Sequence, residues 1–424
     1  MKAITEADAA PRFRKVSPRG RRPQLTSAGL RRATLHEVSI IAAVLALVNT
    51  YLLIRWGFDN KVLAFDFRGT LWDAAIAIRE GRSPYPAPVV DEVQVGNPAV
   101  YPPLLMLVMT PLTLLPWAVG ATVWTLALGV GVAGALYVLG VRDLRCYAFA
   151  FLTNLVVTGL VFGNATLLLV PLVALAWRWR NHWARAGACV GLVIGSKIFL
   201  WPLLFWLLGT RRYRAFAAAT ATGIAAVVLP WAVIGFAGMS TYPDLLRVAE
   251  QVYAVHSYSV TTMLSALGAE TTLAARAALA VGLALAAAAF YVGRRKADSI
   301  SLSLAVLAAI LGSPIVWPFY YALLLVPLAI VRPRFSALWL LPGLFYFAYR
   351  LPRPRLSASA IEPGGPAWPV PNDVPLASWI FSHAPPGLWP AVGHALIASA
   401  LVALAAWAFV RRSPRAEMAR SVDG

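Results

Sequence analysis

The chain has 424 residues, of which 59% are hydrophobic and 13% charged, and its formal net charge is +19. A soluble domain has about one quarter charged residues, so this composition excludes an ordinary water-exposed surface. The basic residues cluster in short segments between apolar runs, as membrane topology requires, and we expect membrane lipids rather than nucleic acid around the chain. Cys146 and Cys189 flank or enter apolar runs, which favours buried thiols over a disulfide framework or a metal site.

Apolar runs of membrane-spanning length recur, for example at 38–56, 117–140 and 216–238. A helix of about 20 apolar residues crosses a bilayer. Because backbone polar groups cannot stay unpaired in lipid, the repeated runs predict an all-α polytopic membrane protein. We interpret the first run as a retained span, since a long polar stretch precedes it and no small-residue cleavage site follows it.

The positive-inside rule predicts the orientation of these spans. With the basic clusters inside, residues 1–36 form a cytoplasmic basic tail and 413–424 a second cytoplasmic tail. Residues 37–412 form a single transmembrane domain of about 12 helices by span length. Its main extracytoplasmic loops are 57–102, the first, and 350–388, which is Pro-rich. A multi-pass protein of the cell membrane, with an extracytoplasmic active site, is therefore expected.

Two segments fit this scheme imperfectly. Residues 186–210 are short for two crossings, which favours a re-entrant pair. Residues 103–140 are long for one crossing, and we expect Pro111 and Pro116 to separate a short first helix from the span.

The first extracytoplasmic loop contains a third of the 18 acidic residues and a helical apolar pattern. Asp66, Asp73 and Glu80 lie seven residues apart, on a different face from the apolar positions. The pattern predicts an amphipathic helix lying on the outer membrane surface and ending at residues 81–84. The apolar positions at helical spacing are Phe67, Leu71, Ala74, Ala75 and Ile78.

Five polar or proline-marked segments remain as candidates for chemistry, and the predicted topology places all of them outside. The sequence has no Gly-rich phosphate loop, no Ser-His-Asp order and no His/Cys metal-ligand spacing. The candidate segments are 64–67, 99–103, 162–166, 196–202 and 311–321.

Each candidate also has a structural interpretation. Asp66 suits a general base, but aspartate is equally a good helix N-cap. The prolines after Tyr101 suit the first turn of a helix, and Asn164 and Thr166 suit a turn. Lys197 is costly inside an apolar stretch, so it either binds a lipid-linked phosphate or snorkels to the interface.

The aromatic segment near the end of this series also has two interpretations. Trp317 and Tyr320 belong to a run with two prolines and four aromatic residues at a predicted outer hairpin tip. Such residues suit an interfacial aromatic belt, and they equally suit a platform for a sugar ring.

In this order the segments resemble glycosyltransferase family 87, a branch of the membrane-embedded glycosyltransferase-C superfamily. The resemblance covers roughly residues 38–331, and the ordered set carries it rather than any single motif. The matching motifs are Asp66-Phe67, Trp72-Asp73-Ala74-Ala75, Gly81-Arg82-Ser83-Pro84-Tyr85, Tyr101-Pro102-Pro103, Pro111 to Pro116, Gly163 to Thr166, Lys197 with Pro202 and the basic Arg211-Arg212, and Ser313-Pro314 with Trp317.

The resemblance implies a glycosyltransferase-C-like bundle and a hexosyltransferase activity. The implied donor is a polyprenyl-phosphate-linked sugar, commonly mannose, and the acceptor is an extracytoplasmic glycan or glycolipid. Asp66 is then the general base of an inverting transfer, and Lys197 is suited to the departing phosphate. We expect no cofactor and no metal ion. The expected substrate-binding residues are Lys197, Tyr101, Asn164, Thr166, Trp317, Tyr320, Asp73 and His256.

Two departures from the family pattern keep alternatives open. Family members often have Gln and Asn where this chain has Asn164 and Thr166, and they often have a His pair where it has Phe319 and Tyr320. His256, in the predicted loop 239–271, is a substitute for that pair or simply a solvated side chain. The alternatives are a polyprenyl-phosphate-arabinofuranose donor, a transporter of lipid-linked sugars, and a non-catalytic relative.

Overall fold

The computed structural model describes residues 63–254 and 257–340, with scattered positions between 37 and 55. Within this part the chain is helical and has no β-strand, in agreement with the predicted all-α class. His256, both predicted tails and the Pro-rich loop lie outside the described residues.

Fifteen helical elements succeed one another in the continuous described ranges, and α1 consists of three consecutive stretches, the middle one π-helical. They are α1 (Phe65–Phe67, Arg68–Trp72 and Asp73–Arg79), α2 (Val90–Gly96), α3 (Leu104–Met109), α4 (Trp117–Val138), α5 (Leu144–Leu152), α6 (Asn154–Phe162), α7 (Thr166–Arg178), α8 (Trp183–Ser196), α9 (Leu203–Gly209), α10 (Tyr213–Val233), α11 (Tyr242–Tyr253), α12 (Val260–Ala266), α13 (Thr271–Arg294), α14 (Asp298–Leu311) and α15 (Leu325–Val331). Further 3₁₀ turns lie at Leu112–Leu114, Ile198–Leu200, Pro318–Leu324 and Ala337–Leu340.

Three of the described helices, α4, α10 and α13, are long and apolar enough to cross a membrane. A fourth span is possible if α5 and Leu155–Phe162 of α6, which are bent by 61°, are one broken span. Several shorter apolar helices accompany them. The predicted total of about 12 crossings, counted by span length, stays a prediction.

Both irregular segments are broken, the first of them where the sequence indicates. The short helix α3 and the turn Leu112–Leu114 precede α4, with Pro111 and Pro116 at the two junctions. Residues 186–210 are divided at Lys197, whose backbone is extended between α8 and the turn Ile198–Leu200. The expected break of the long segment is confirmed, because proline cannot continue a helix hydrogen-bond ladder.

The predicted loop helix exists, but its apolar face packs against protein and not against the membrane surface. Phe67 and Leu71 of α1 are fully buried. The Phe67 ring stacks on Trp124 and Trp117 of α4, with ring centroids 5.0 and 5.9 Å apart. The expectation of a helix lying on the lipid is therefore wrong for this face, because α4 offers an aromatic surface that buries it.

The π-helical stretch of α1 explains a second difference. A π-turn inserts one residue into the helical repeat and rotates the residues after it about the helix axis. Asp66 precedes the stretch Arg68–Trp72 and Asp73 comes after it, so the seven-residue spacing no longer puts both on one face. Asp66 faces a cavity, whereas Asp73 is half-buried elsewhere and Glu80 is exposed.

The antiparallel pair α7 and α8 positions the candidate site. α7 begins at Thr166, and α8 ends next to Lys197, so both residues lie at one end of the pair. α8 approaches α10 closely because Gly187 and Gly191 leave room for the α10 backbone; a Cβ at Gly187 would be 2.7 Å from the Ala215 carbonyl oxygen. Small residues at such spacing allow close helix packing in membranes.

Candidate functional site

A cavity of about 290 Å³ lies where α1, the end of α8 and the turn Pro318–Leu324 meet. Residues from all five candidate segments contribute to its wall. Asp66 is its only acidic lining residue and Lys197 its only Lys or Arg, as far as the described residues show. The predicted site residues in the wall are Asp66, Tyr101, Asn164, Lys197, Trp317 and Tyr320.

The backbone around Asp66 is held by the turn between α6 and α7. Ala64 adopts a left-handed conformation, with φ 57°, and its N–H donates to the Val161 carbonyl at 2.6 Å. Gly163, also left-handed, accepts at its carbonyl from the Trp124 indole N–H at 2.7 Å. A non-glycine residue in this region is strained and is often found at functional sites. These contacts fix the start of α1 against the Asn164 turn.

The carboxylate of Asp66 accepts hydrogen bonds from two side-chain amides. The Asn97 amide donates to Oδ1 at 3.1 Å, and the Asn164 amide donates to Oδ2 at 2.8 Å. The alternative in which Asp66 is an N-cap is wrong, since the N-cap of α1 is Ala64. The carboxylate is thus oriented toward the cavity.

Burial and hydrogen bonding act in opposite directions on Asp66. Burial raises the pKa of its carboxyl above the ordinary value, while the amides of Asn164 and Asn97 and the nearby Lys197 charge act to lower that pKa. Burial has the larger effect, because a charged carboxylate loses its hydration there. A carboxylate with a raised pKa is a stronger proton acceptor than an ordinary one.

Asn164 connects Asp66 with Lys197. Its Oδ1 accepts from the Thr166 backbone N–H at 2.9 Å and from Lys197 Nζ at 3.3 Å. Two donors at the oxygen leave the amide nitrogen to face Asp66, so the orientation of the amide group is determined. The acid, the amide and the ammonium form one continuous hydrogen-bonded chain.

Lys197 is 3% exposed and is held by polar and aromatic partners. Nζ donates to Thr166 Oγ1 at 2.8 Å and lies 4.4 Å from the ring centroid of Tyr101 and 4.6 Å from that of Tyr320. Aromatic faces attract cations, especially where water is excluded. The snorkelling alternative is wrong for this residue, because its ammonium group is held among these partners inside the bundle.

Aromatic rings form a further part of the cavity wall. The Phe199 ring stacks on Tyr320 at 4.8 Å, and Tyr253 meets Trp317 edge-on at 6.4 Å between centroids. Tyr320 thus supplies a ring to Lys197 at a position where the resemblance in sequence leads to the expectation of a histidine. The rings give the cavity an apolar surface suited to a sugar face or a lipid chain.

Two predicted site residues, Thr166 and Asp73, are not part of the cavity wall. Thr166 is fully buried and contacts two residues of the wall, Lys197 and Asn164. Asp73 is half-buried near Arg68, whose charge opposes the effect of burial on the Asp73 carboxyl pKa, which is raised. His256 lies outside the described residues. In the described part of the chain, no three His, Cys, Asp or Glu side chains are grouped as a metal ion would require.

Asn97 is a site residue that the sequence reasoning did not identify. It ends α2 in a left-handed conformation, with φ 42°. Asparagine is common at such helix ends, so its sequence context indicates only a cap. Its position within the acidic loop and just before Pro98 is the only available signal, and it is weak.

Comparison with protein families places this chain in a known one. The model of glycosyltransferase family 87 matches residues 99–318, more than half of the chain. The chain belongs to glycosyltransferase family 87. The matched region includes Tyr101, Asn164, Lys197 and Trp317, and Asp66 lies before it.

One relative with an assigned activity comes from Mycolicibacterium smegmatis. It is named polyprenol-phosphate-mannose-dependent alpha-(1-2)-phosphatidylinositol pentamannoside mannosyltransferase, and it is 29% identical to this family 87 chain over 168 residues. The alignment covers 37% of this chain and 40% of the relative, well under two thirds of its length. No solved structure matches the chain.

Proposed function

We propose that this protein transfers a sugar, with mannose as the first choice, from a polyprenyl-phosphate-linked donor to an extracytoplasmic glycan or glycolipid. The main observation in support is the half-buried Asp66 carboxylate, which two amides orient in a cavity that also contains the Lys197 ammonium. Membership of family 87 and the name of the mycobacterial relative support the same reaction class.

Asp66 is the general base in this proposal. Its carboxylate accepts the proton of the acceptor hydroxyl as the new bond forms at the anomeric carbon, and the bond from that carbon to the phosphate oxygen breaks. The electron pair of this bond leaves with the polyprenyl phosphate, and the configuration at the anomeric carbon inverts. Because phosphate leaves as a stable anion, the step requires a base but no strong acid.

Lys197 stabilises the charge that develops on the departing phosphate. An ammonium already fixed by Thr166 and two aromatic rings needs little reorganisation during the reaction. Two of its protons are directed to Thr166 and Asn164, which leaves one for a phosphate oxygen.

The test is transfer of radiolabelled mannose from polyprenyl-phosphate-mannose in membranes that contain either wild type or Asp66→Asn. We expect the substitution to reduce transfer by at least about 100-fold, the lower range for loss of a general base. Asp73→Asn is the matched control, because Asp73 lies on the same helix outside the cavity wall, and it should retain activity. Transfer that survives Asp66→Asn would refute the role of Asp66.

The identity of the donor needs a separate experiment. A panel of polyprenyl-phosphate-linked mannose, glucose and arabinofuranose, assayed with the same membranes, distinguishes the mannosyl proposal from the arabinofuranosyl alternative. Transfer from none of them, with the protein folded, would favour the non-catalytic relative or the transporter.

A further inference from the structure

Three turns of the chain meet around Asp298, at the ends of α7 and α8 that point away from the cavity. The Asp298 carboxylate accepts from both terminal nitrogens of Arg212 at 2.9 and 2.8 Å. It also accepts from the Trp206 indole N–H at 2.6 Å and pairs with Arg180 at 3.3 Å. Residues 178–185, 209–214 and 294–298 are thereby assembled into one surface.

This surface is strongly basic. Asp298 is the only acidic residue in the three turns, and Arg180 and Arg212 already occupy its carboxylate. Seven further basic side chains are exposed around it, and we call them the basic face. They are Arg178, Arg185, Arg211, Arg214, Arg294, Arg295 and Lys296.

Two residues of the basic face occupy backbone positions that normally favour glycine. Arg211 has φ 60° and Lys296 has φ 64°, each just beyond the end of a helix. L-residues other than Asn and Asp rarely adopt this left-handed region, whereas glycine is the usual choice after a helix. A basic side chain at both positions therefore costs stability that glycine would not.

Exposed aromatic rings accompany the basic face. Trp183, Tyr213 and Tyr291 are 54%, 55% and 57% exposed, and the Tyr213 hydroxyl accepts from Arg294 at 2.9 Å. Tyr and Trp concentrate at the headgroup level of bilayers, where their rings contact lipid and their polar groups contact water. Rings at the ends of apolar helices therefore favour a lipid headgroup surface over nucleic acid or an acidic protein.

We propose that the basic face binds the headgroups of anionic phospholipids. The face lies at the end of the bundle that the charge distribution predicts to be cytoplasmic. α7, with 13 residues, leads from it to Thr166 beside the cavity, about 20 Å away at 1.5 Å per residue. Anionic headgroups at this face hold α7 and α8 at a fixed depth in the bilayer.

The test uses the purified full chain with lipid nanodiscs or vesicles of phosphatidylcholine alone or with phosphatidylglycerol. The variant is Arg211→Gly with Lys296→Gly. It removes two positive charges and also the backbone strain of two left-handed residues. We expect wild type to bind the anionic lipid preferentially and the variant to bind it at least about fivefold more weakly, as each basic residue near an anionic surface contributes. Its thermal unfolding temperature without lipid should be equal or higher.

Two controls separate this site from general charge and from folding defects. Arg247→Ala with Arg276→Ala removes two exposed positive charges at other sites and should leave lipid preference intact. Arg211→Asn with Lys296→Asn also tolerates the left-handed backbone and should reproduce the loss. Soluble glycerophosphoglycerol should compete weakly. Equal binding of the glycine variant and wild type, or stronger binding of a DNA duplex than of anionic vesicles, would overturn the proposal.

Discussion

The hydrogen-bonded chain from Asp66 through Asn164 to Lys197 brings a half-buried carboxylate and a buried ammonium group together without a direct ion pair. A direct ion pair would stabilise the charged carboxylate and lower its pKa. The carboxylate would then be a weaker proton acceptor. The Asn164 amide lies between the two groups instead. Lys197 and the Thr166 N–H fix its oxygen, so its nitrogen points to Asp66 and orients the carboxylate.

The Asn97 hydrogen bond predicts a pH shift. Burial raises the pKa of Asp66 and the Asn97 amide opposes this, so removing the amide should raise the pKa further. Asn97→Gly removes the amide and tolerates the left-handed backbone. Because the base must be deprotonated, activity is lost as pH falls through this pKa. We expect the acidic limb of kcat/KM to move upward by about one pH unit, from a charge-assisted hydrogen bond.

The measurement is the pH profile of transfer for wild type and Asn97→Gly at saturating acceptor. Thermal unfolding of both proteins shows whether the loop is intact. An acidic limb that stays in place, with a folded variant, would mean that Asn97 does not affect the group whose protonation limits activity.

Lys197 should be important for activity but not for stability. Lys197→Met preserves the length of the side chain and removes a buried charge, whose burial costs free energy. We expect kcat/KM for the donor to fall by about 100-fold or more, as for loss of an oxyanion-stabilising donor, with an equal or higher unfolding temperature.

Thr166→Val is the matched control for Lys197→Met. It removes one partner of the ammonium but preserves the charge, so its effect on kcat/KM should be much smaller. Full activity in Lys197→Met would remove Lys197 from the mechanism.

For single residues, the sequence identifies those whose chemical type is unusual for the segment in which they occur. Lys197 is conspicuous because a charge inside an apolar stretch is expensive, and Asp66 because it comes soon after the first span. Asn97 is not conspicuous, since an asparagine before proline is ordinary in any loop. Its role depends on a contact across 31 residues, which no local pattern contains.

The helix α1 shows what periodicity can and cannot predict about an element. The apolar spacing predicts a helix that ends before Gly81, and the structure has one from Phe65 to Arg79. The spacing does not reveal the π-helical stretch Arg68–Trp72, where Phe67 and Trp72 pack against Trp117 of α4. The inserted residue separates Asp73 from the face that bears Asp66.

The contact between α1 and α4 can be tested with two glycines of α4. A Cβ at Gly120 would overlap the Trp72 ring, whereas a Cβ at Gly134 would meet no atom within 4 Å. Both substitutions to alanine improve helix propensity by up to about 1 kcal/mol. We therefore expect Gly134→Ala to stabilise the protein and Gly120→Ala to destabilise it by about 1–3 kcal/mol, as overpacking does.

Gly120→Ala should also reduce transfer, because Trp72 and Asp66 belong to the same short helix. Thermal unfolding in detergent and the transfer assay measure the two effects on the same preparations. If both alanine variants are equally stable and active, α1 is not held by this contact.

At the scale of the whole molecule, α7 and α8 separate two chemically different ends. One end has the cavity with Asp66 and Lys197, and the other has the basic face around Asp298. Apolar composition and the positive-inside rule predict this polarity from sequence alone. Neither predicts that Asp298 joins three turns, since its partners Arg180 and Arg212 lie 118 and 86 residues away in sequence.

The orientation of these two ends predicts a labelling pattern. Exposed positions near the end of α1, such as Arg82, should be accessible from outside the cell, and exposed positions of the basic face, such as Arg295, only from inside. Single cysteines at these two positions, treated with a membrane-impermeant maleimide on intact spheroplasts, should give labelling of Arg82→Cys alone. Arg295→Cys should stay unlabelled there, because moving the charged turns across the bilayer is prohibitively costly. After lysis the reagent should reach both positions.

Cys146 and Cys189 are buried thiols, so the unsubstituted protein measures the background of this experiment. Labelling of Arg295→Cys in intact spheroplasts would mean that the orientation is the opposite of the predicted one. The cavity would then lie on the cytoplasmic side. A polyprenyl-phosphate donor for extracytoplasmic glycans would then be on the wrong side of the membrane. The labelling pattern therefore tests the topology and the proposed reaction at the same time.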